Sequence, residues 1–589
     1  MWGIFPETRA ARKLERWCRR FSARHAEILW EAVTVPGGGG RQERSSPSKP
    51  TPPAVLAVGL ASSGHSKLWK RQSIPSSTMA IISDYSTGAL LGVGVLVSLF
   101  ALVIKRYYFH PLSRYPGPFL SAVSSIPVSI GLLWGKNHRH MKLLHDKYVS
   151  PNELSFCGPD AYEDIYGFRS HDEPMEKDPI WIGAIMTLNG EMAMVYAPRD
   201  VHARQRRAFS HPLSNTSILQ QEPLIQQHIR VFISQLGEIE RSGKPANVKD
   251  WFNFLTLDVM SDLYVGTAFG CLTRGDGYEW LKALERGMQC GVYEQVTRRL
   301  AGPRTWLQKR LYDWLVPEIY KQGKVTHFLN SKAKVMDRIQ DEQRERKDFM
   351  YYILRNNEAK NLLTHTEILL NSATFIAAGG DTTSAALSSM AYCLLTHPDA
   401  YAKLKAEIRG ACKTQEDITF ANVKDLPYLG AIINEALRLY TPVVIGSLRQ
   451  VPPKGQGAMI DGNYVPAGTT VSIPQWATAH SELNWTRPYE FLPDRWLHPE
   501  RFPHDKLKAS QPFQIGPRGC IGKNLSWMEM RLTLCHLIWA FDMELEGGKA
   551  AHKKWHIEGD VKNGIAYMMF QRPDLWVRLK SVHEEEVVG

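Results

Sequence analysis

A single thiol set among glycines constrains this chain more than any other feature. Residues 513 to 522 read FQIGPRGCIG, so Cys520 stands two residues after Arg518, with Gly516 and Gly522 on either side. Those glycines permit positive φ or the close approach of something bulky. The following KNLSWMEMRLTLCHLIWAF has the pattern of an amphipathic helix that starts just after the thiol, a position that favours thiolate over thiol. A thiolate beside a flat clearance and a fixed cation is what an iron porphyrin needs, namely an axial sulfur ligand and a partner for a propionate. A lone cysteine is ordinarily an inert buried residue. Here the ten-residue spacing carries the reading.

The other cysteines offer no competing explanation. The chain has 8 Cys and no C-x-x-C, which is neither disulfide-scaffold density nor paired metal-ligand spacing, and points to a reducing environment. At 589 residues and 44% apolar content a sizeable core is available. The net charge of +12 suggests a nucleic-acid partner until it is located: residues 1 to 78 hold thirteen Lys and Arg against five acids, leaving only +4 for the rest. No nucleic acid is expected. This tail contains GGGG at 37–40 and SSPSKPTPP at 45–53, and it reads as a disordered basic segment. Its start, TRAARKLERWCRR, has the charge of a mitochondrial presequence, but Glu7, Glu15 and Glu27 argue against one. Met79 reads as the more credible start of translation.

From Tyr85 to Ile104 there are twenty residues without a charge, YSTGALLGVGVLVSLFALVI, followed at once by Lys105 and Arg106. As a helix this run spans a bilayer core of roughly 30 Å. The basic flank places the rest of the chain on the cytosolic side. The expected organisation is therefore a membrane anchor over 79–107 with its helix at 85–104, a Pro-rich linker over 108–118 (HPLSRYPGP), and one catalytic domain over 119–589.

Within that domain helical patterns dominate Ile218 to Ile408, and short strand-like runs collect near GAMIDGNYVPAGTTVSI, Gly457 to Ile473. The stretch THTEILLNSATFIAAGGDTTSAALSSMAYCLLTHP opens with a capping box, Thr364 with Glu367, and stops at Pro398. Its centre holds Gly379, Gly380, Asp381, Thr382 and Thr383, all poor helix formers. One reading is a local widening in which the glycines admit a ligand, Thr382 turns its hydroxyl into the gap, and Asp381 beside it completes a proton relay. The other is a helix crossing at small residues with an exposed acid.

The thiol loop resembles the haem-loop signature F-x-x-G-x-R-x-C-x-G of the cytochrome P-450 superfamily, through Phe513, Gly516, Arg518, Cys520 and Gly522. AGGDTT at 378–383 resembles the family's oxygen-binding segment, EALR its E-x-x-R pair Glu435 and Arg438, and HARQR its W-x-x-x-R with His202 in place of Trp and Arg206 four residues on. The resemblance runs from about His110 to Leu579. It implies a mainly α fold with small β-sheets, haem b ligated by Cys520, and propionate contacts from Arg518, Arg206, His202 and Arg449. Proton delivery falls to Asp381 and Thr382. Phe375, Ala378, Val443, Val444 and Ile445 would line a pocket for a lipophilic substrate. The implied reaction inserts one atom of O2 into that substrate, a terpenoid or polyketide of secondary metabolism, with electrons from NADPH through a separate reductase. The implied place is the endoplasmic reticulum membrane.

Two sites depart from the family pattern. The third member of the Glu435–Arg438 network is expected at Arg495 in PDRW, although PERF at 499–502 matches the family's motif to the letter, because Arg501 leaves too short a run before the thiol loop. Between Tyr148 and Pro151 the chain is about six residues short of a first sheet strand. Two alternatives follow: a haem-thiolate isomerase that uses no O2, and a non-catalytic copy that has lost that strand.

Overall fold

The computed structural model describes residues 76–115, 117–144, 152–168, 174–181, 187–341, 346–360, 362–557 and 564–583. The basic tail up to residue 75 and the stretch from Tyr148 to Pro151 lie outside them. The apolar run forms helix α1, Ser76–Tyr108, longer at both ends than the 85–104 expected. Its segment Gly88–Tyr108 has a mean hydropathy of 2.3 and is 0% buried, so this helix is a candidate membrane anchor. Ser86–Gly589 forms one compact unit.

That unit is mainly helical. Eight helices matter for the site: α2 (Arg199–Ser210), α3 (Glu222–Arg241), α4 (Val248–Val265), α5 (Tyr278–Ala301), α6 (Glu318–Gln340), α7 (His365–Thr396), α8 (Pro427–Leu439) and α9 (Lys523–Ala540). The central helix α7 begins at the capping box, where the Thr364 hydroxyl accepts from Glu367 N at 3.1 Å and Thr364 N donates to the Glu367 carboxylate at 3.1 Å. Against it lies α4, buried nearly all round and ended by Gly266 at φ 75. α7 begins and ends where its sequence pattern places it and α9 starts just after the thiol loop as expected, but two finer expectations differ. The centre of α7 stays α-helical, and α9 is buried over most of its surface instead of being amphipathic.

The main sheet has four short strands in the order β1, β4, β3, β2, where β1 is Glu153–Ser155, β2 is Glu176–Lys177, β3 is Arg449–Gln450 and β4 is Thr470–Ser472. β1 pairs parallel with β4 and stands at the edge. β3 pairs antiparallel with β4 and with β2, placing Lys177 directly opposite Arg449. In the strand-rich region a hairpin joins Ala458–Ile460 to Asn463–Val465 through Asp461 (φ 49) and Gly462 (φ 71). Two consecutive positive φ values make the turn that matches strand twist, which explains Asp-Gly at that point.

Candidate active site

A cavity of about 370 Å³ opens between α7, α9, the thiol loop and the segment after α8. Cys520 lines it. Its sulfur is exposed to the cavity and otherwise enclosed by protein, and this burial pushes the thiol up despite Gly522 N–H, Arg206 and Lys523 pulling it down. The expected thiolate bias of the helix start is thus outweighed by desolvation until a cation binds the sulfur. The loop is built from its backbone: Cys520 N donates to Phe513 O at 2.8 Å, and Gly516 takes φ 72 where a Cβ would collide with the Tyr166 carbonyl oxygen. Gly522 has φ −88 and open space beside it, so its contribution is clearance toward the cavity, not an unusual backbone. Phe513 also lines the cavity.

Five basic side chains gather at one end. Arg206 donates to Gly519 O at 2.8 Å, and Arg518 donates to Ala197 O at 2.9 Å and to Glu176 at 3.1 Å. Arg449 is buried, its Nε and Nη1 have no hydrogen-bond partner among the described residues, and burial followed by Arg518 lowers it to about 10. The Arg518 Nη1 is orphaned in the same way. His202 is held neutral, lowered to about 3 by burial and then by Arg518, Arg206, Lys177 and Arg449. Lys177, which sequence reading missed, also faces the cavity and donates to Val195 O at 2.6 Å. It sits on a strand of two residues, too short to carry a pattern. Three arginines and Lys177, whose ammonium is pushed well below its usual range by burial and then by Arg449 and Arg518, thus meet one carboxylate among the described residues, Glu176. Buried arginine nitrogens without partners cost free energy unless an anion arrives, and a dianionic porphyrin edge is such an anion. The residues fit the haem that the thiol loop implies.

On α7, Ala378 and Thr382 line the cavity, and Thr382 donates to Ala378 O at 2.7 Å. The glycines serve the helix crossing: a Cβ at Gly379 would strike Met260, and Thr256 of α4 donates to Gly380 O at 2.6 Å. The expected widening is not present. Asp381 does not line the cavity. Its carboxylate is ion-paired with Arg572, whose guanidinium also donates to Ser384 at 2.5 Å and Asn253 at 3.1 Å. Of the expected pocket residues, Phe375, Val443 and Ile445 line the cavity, with Phe375 packed edge-on to Phe209 at 5.0 Å. Val444 is a correction: it is 1% exposed and belongs to the core, because alternate residues of an extended segment face opposite ways.

Behind the site, Glu435 and Arg438 are both 0% exposed. Arg438 donates five hydrogen bonds, two to Glu435 at 2.8 and 2.9 Å and one each to the carbonyls of Ala479, Pro488 and Glu490. Arg495 reaches Glu435 at 3.2 Å and pairs with Asp505, and Trp496 Nε1 donates to Glu435 at 2.9 Å. Arg501 lies exposed on a short 3-10 turn.

Comparison with known proteins agrees with this geometry. A family model described as Cytochrome P450 matches residues 134–558. The chain belongs to the cytochrome P450 family. It is 44% identical over 511 residues to cytochrome P450 monooxygenase aba2 of Botryotinia fuckeliana, covering 85% of this chain and 96% of that protein. It is 38% identical over 499 residues to cytochrome P450 monooxygenase ABA2 of Pyricularia oryzae, covering 83% and 95%. Averantin hydroxylase of Dothistroma septosporum is 34% identical over 529 residues, covering 88% and 96%. The chain is thus a haem-iron monooxygenase, and its relatives include fungal monooxygenases of secondary metabolism.

Proposed function

We propose that this monooxygenase hydroxylates or epoxidises a lipophilic terpenoid or polyketide, with haem b held by Cys520 and electrons drawn from NADPH through a partner reductase. The observation that carries the reading is the cavity itself: a single thiol, four basic side chains (Lys177, Arg206, Arg449 and Arg518) and Thr382 all line one largely apolar space. Bound haem supplies activation of O2, with the thiolate sulfur donating electron density to the iron. The chain's own residues do the rest. Arg449, Arg518, Arg206, Lys177 and the neutral His202 orient the porphyrin edge, and Thr382 presents a hydroxyl where protons must arrive. Asp381 can join that delivery only after leaving Arg572. Phe375, Val443 and Ile445 exclude water and favour an apolar substrate. α1 would anchor the enzyme in the endoplasmic reticulum membrane, with Lys105 and Arg106 marking the cytosolic side.

The relatives' names support the substrate class, since one is a hydroxylase of averantin. Against an O2-independent isomerase stands the presence of Thr382 on the cavity wall. Against a non-catalytic copy stands the sheet, whose edge strand β1 is paired. Microsomes carrying the protein and a reductase, given candidate polyketides under ¹⁸O₂, should yield product bearing one ¹⁸O only when NADPH is present. Product formation without NADPH or O2 would favour the isomerase instead.

A further inference from the structure

The segment that runs into α2 carries part of the cavity wall. It begins with a tight turn at Asn189-Gly190, φ 53 and φ 79, closed by Glu191 N donating to Leu188 O at 2.9 Å. Beyond the turn Met194 and Val195 line the cavity. Residues 192–197 belong to no helix or strand, so side chains hold their backbone. At the C-terminal end Val195 O accepts from Lys177 at 2.6 Å and Ala197 O from Arg518 at 2.9 Å. At the other end the holders come from α2 and α7. Gln205 Nε2 donates to Met192 O at 3.1 Å, Asn371 Oδ1 accepts from Met194 N at 2.8 Å, and the Thr364 hydroxyl donates to the Glu191 carboxylate at 2.7 Å.

A buried asparagine inside a helix is a poor choice for helix formation alone. Asn371 and Gln205 are 1% and 0% exposed, and each uses both of its amide hydrogens. Asn371 donates to Gln205 Oε1 at 3.0 Å and to Glu367 O at 2.7 Å, and the second hydrogen of Gln205 goes to Glu367 Oε1 at 2.8 Å. Turning either amide over would set donor against donor and acceptor against acceptor, so the network dictates both orientations. Behind them Arg204 holds the Glu367 carboxylate with two bonds of 2.8 and 2.6 Å. Burial alone would raise Glu367, but Arg204, Gln205 and the Thr364 N–H outweigh it and hold the carboxyl below its usual range. A satisfied buried network rigidifies what it touches. What it touches is the cavity wall, because Thr374 and Phe375, three and four residues along α7 from Asn371, line the same space as Met194 and Val195.

We propose that Asn371 and Gln205 are positioning residues for the monooxygenase reaction: they fix the backbone of residues 192–194 to α7 and α2, and so set where Met194 and Val195 meet the substrate. The proposal rests on the monooxygenase reading for the substrate, and on the hydrogen bonds alone for the clamp. Its consequence is selectivity. A ligand too small to reach the wall gains nothing from the clamp, whereas a larger one finds the wall already ordered and is spared the entropy of ordering it.

Imidazole and 1-phenylimidazole, two ligands of haem iron that differ in bulk, separate these cases in spectral titrations of the haem-loaded protein. Asn371→Leu should weaken 1-phenylimidazole about tenfold and leave imidazole within about twofold. Gln205→Met keeps the side chain's length, loses the hold on Met192 O, and should weaken 1-phenylimidazole about threefold, again with imidazole unmoved. A general loss of structure would move both ligands together, so equal shifts or no shift in these variants would overturn the proposal. Hydrogen exchange in the wild type reads the clamp with no substitution at all: the Met194 amide should exchange about a hundredfold or more slowly than an open loop amide. Exchange at the open rate would overturn the clamp whether or not the variants fold. A wild type that binds both ligands yet forms no product would strike the monooxygenase reading, with the ratio of the two affinities still deciding the clamp.

Discussion

Two buried charge clusters flank the haem loop, and they are built on opposite plans. Around Glu435, two arginines meet two carboxylates, and Arg438 uses all five of its N–H donors on protein acceptors. Around Arg449, four basic side chains meet only Glu176 among the described residues, and two guanidiniums keep buried nitrogens with no hydrogen-bond partner among those residues. The first cluster is complete within the polypeptide and holds the run from Thr486 to Asp505 in place. The second leaves buried donors over, which an anionic group would satisfy. Satisfaction of buried donors thus separates a structural network from a binding site more cleanly than charge count or burial does.

Breaking the complete cluster should have the largest effect. Arg495→Ala takes one of two guanidiniums from Glu435 and the one that pairs with Asp505, and should cost about 3–5 kcal/mol of stability, read as lost yield and a lower melting temperature. Glu529 is the intermediate case, a buried carboxyl satisfied only by keeping its proton. Its folded pKa of about 8 lies above the ordinary 4.5, so the native state binds the extra proton between those values and stability falls as pH rises through that window. Glu529→Gln should remove this fall, gaining about 2 kcal/mol relative to wild type between pH 6 and pH 8 in denaturant titrations. In the incomplete cluster, Arg449→Met should speed haem loss to an acceptor protein about tenfold, or ~1.4 kcal/mol, while secondary structure stays intact. If Arg449→Met unfolded the protein as Arg495→Ala does, the contrast between the two clusters would fail. Arg501→Ala, in the literal PERF, should change stability by less than about 0.5 kcal/mol.

The same contrast explains what could be read in advance. Glu435, Arg438 and Cys520 sit in short local spacings fixed by one helix turn or one loop, so a linear pattern holds them. Partners distant in sequence left no such trace. Arg572 meets Asp381 across 191 positions, and nothing near either residue announces the pair. Lys177 faces Arg449 from a two-residue strand. The segment that forms α9 reads as amphipathic, yet an alternation of polar and apolar residues is the same whether the polar side meets water or protein. Only burial tells the two apart. Val444 shows the converse, since an extended run of three apolar residues necessarily turns the middle one away from its neighbours.

The central claim is that Cys520 is the axial sulfur ligand of a haem held by the incomplete cationic cluster. The most direct measurement is the absorption spectrum of the reduced, carbon-monoxide-bound protein. Wild type and Cys535→Ser should both give the thiolate-ligated carbonyl band at the same position, because Cys535 is buried on α9 and lines no part of the cavity. Cys520→Ser should lose that band, since a serine oxygen does not donate as a thiolate does. A Cys520→Ser protein that kept it would contradict the account.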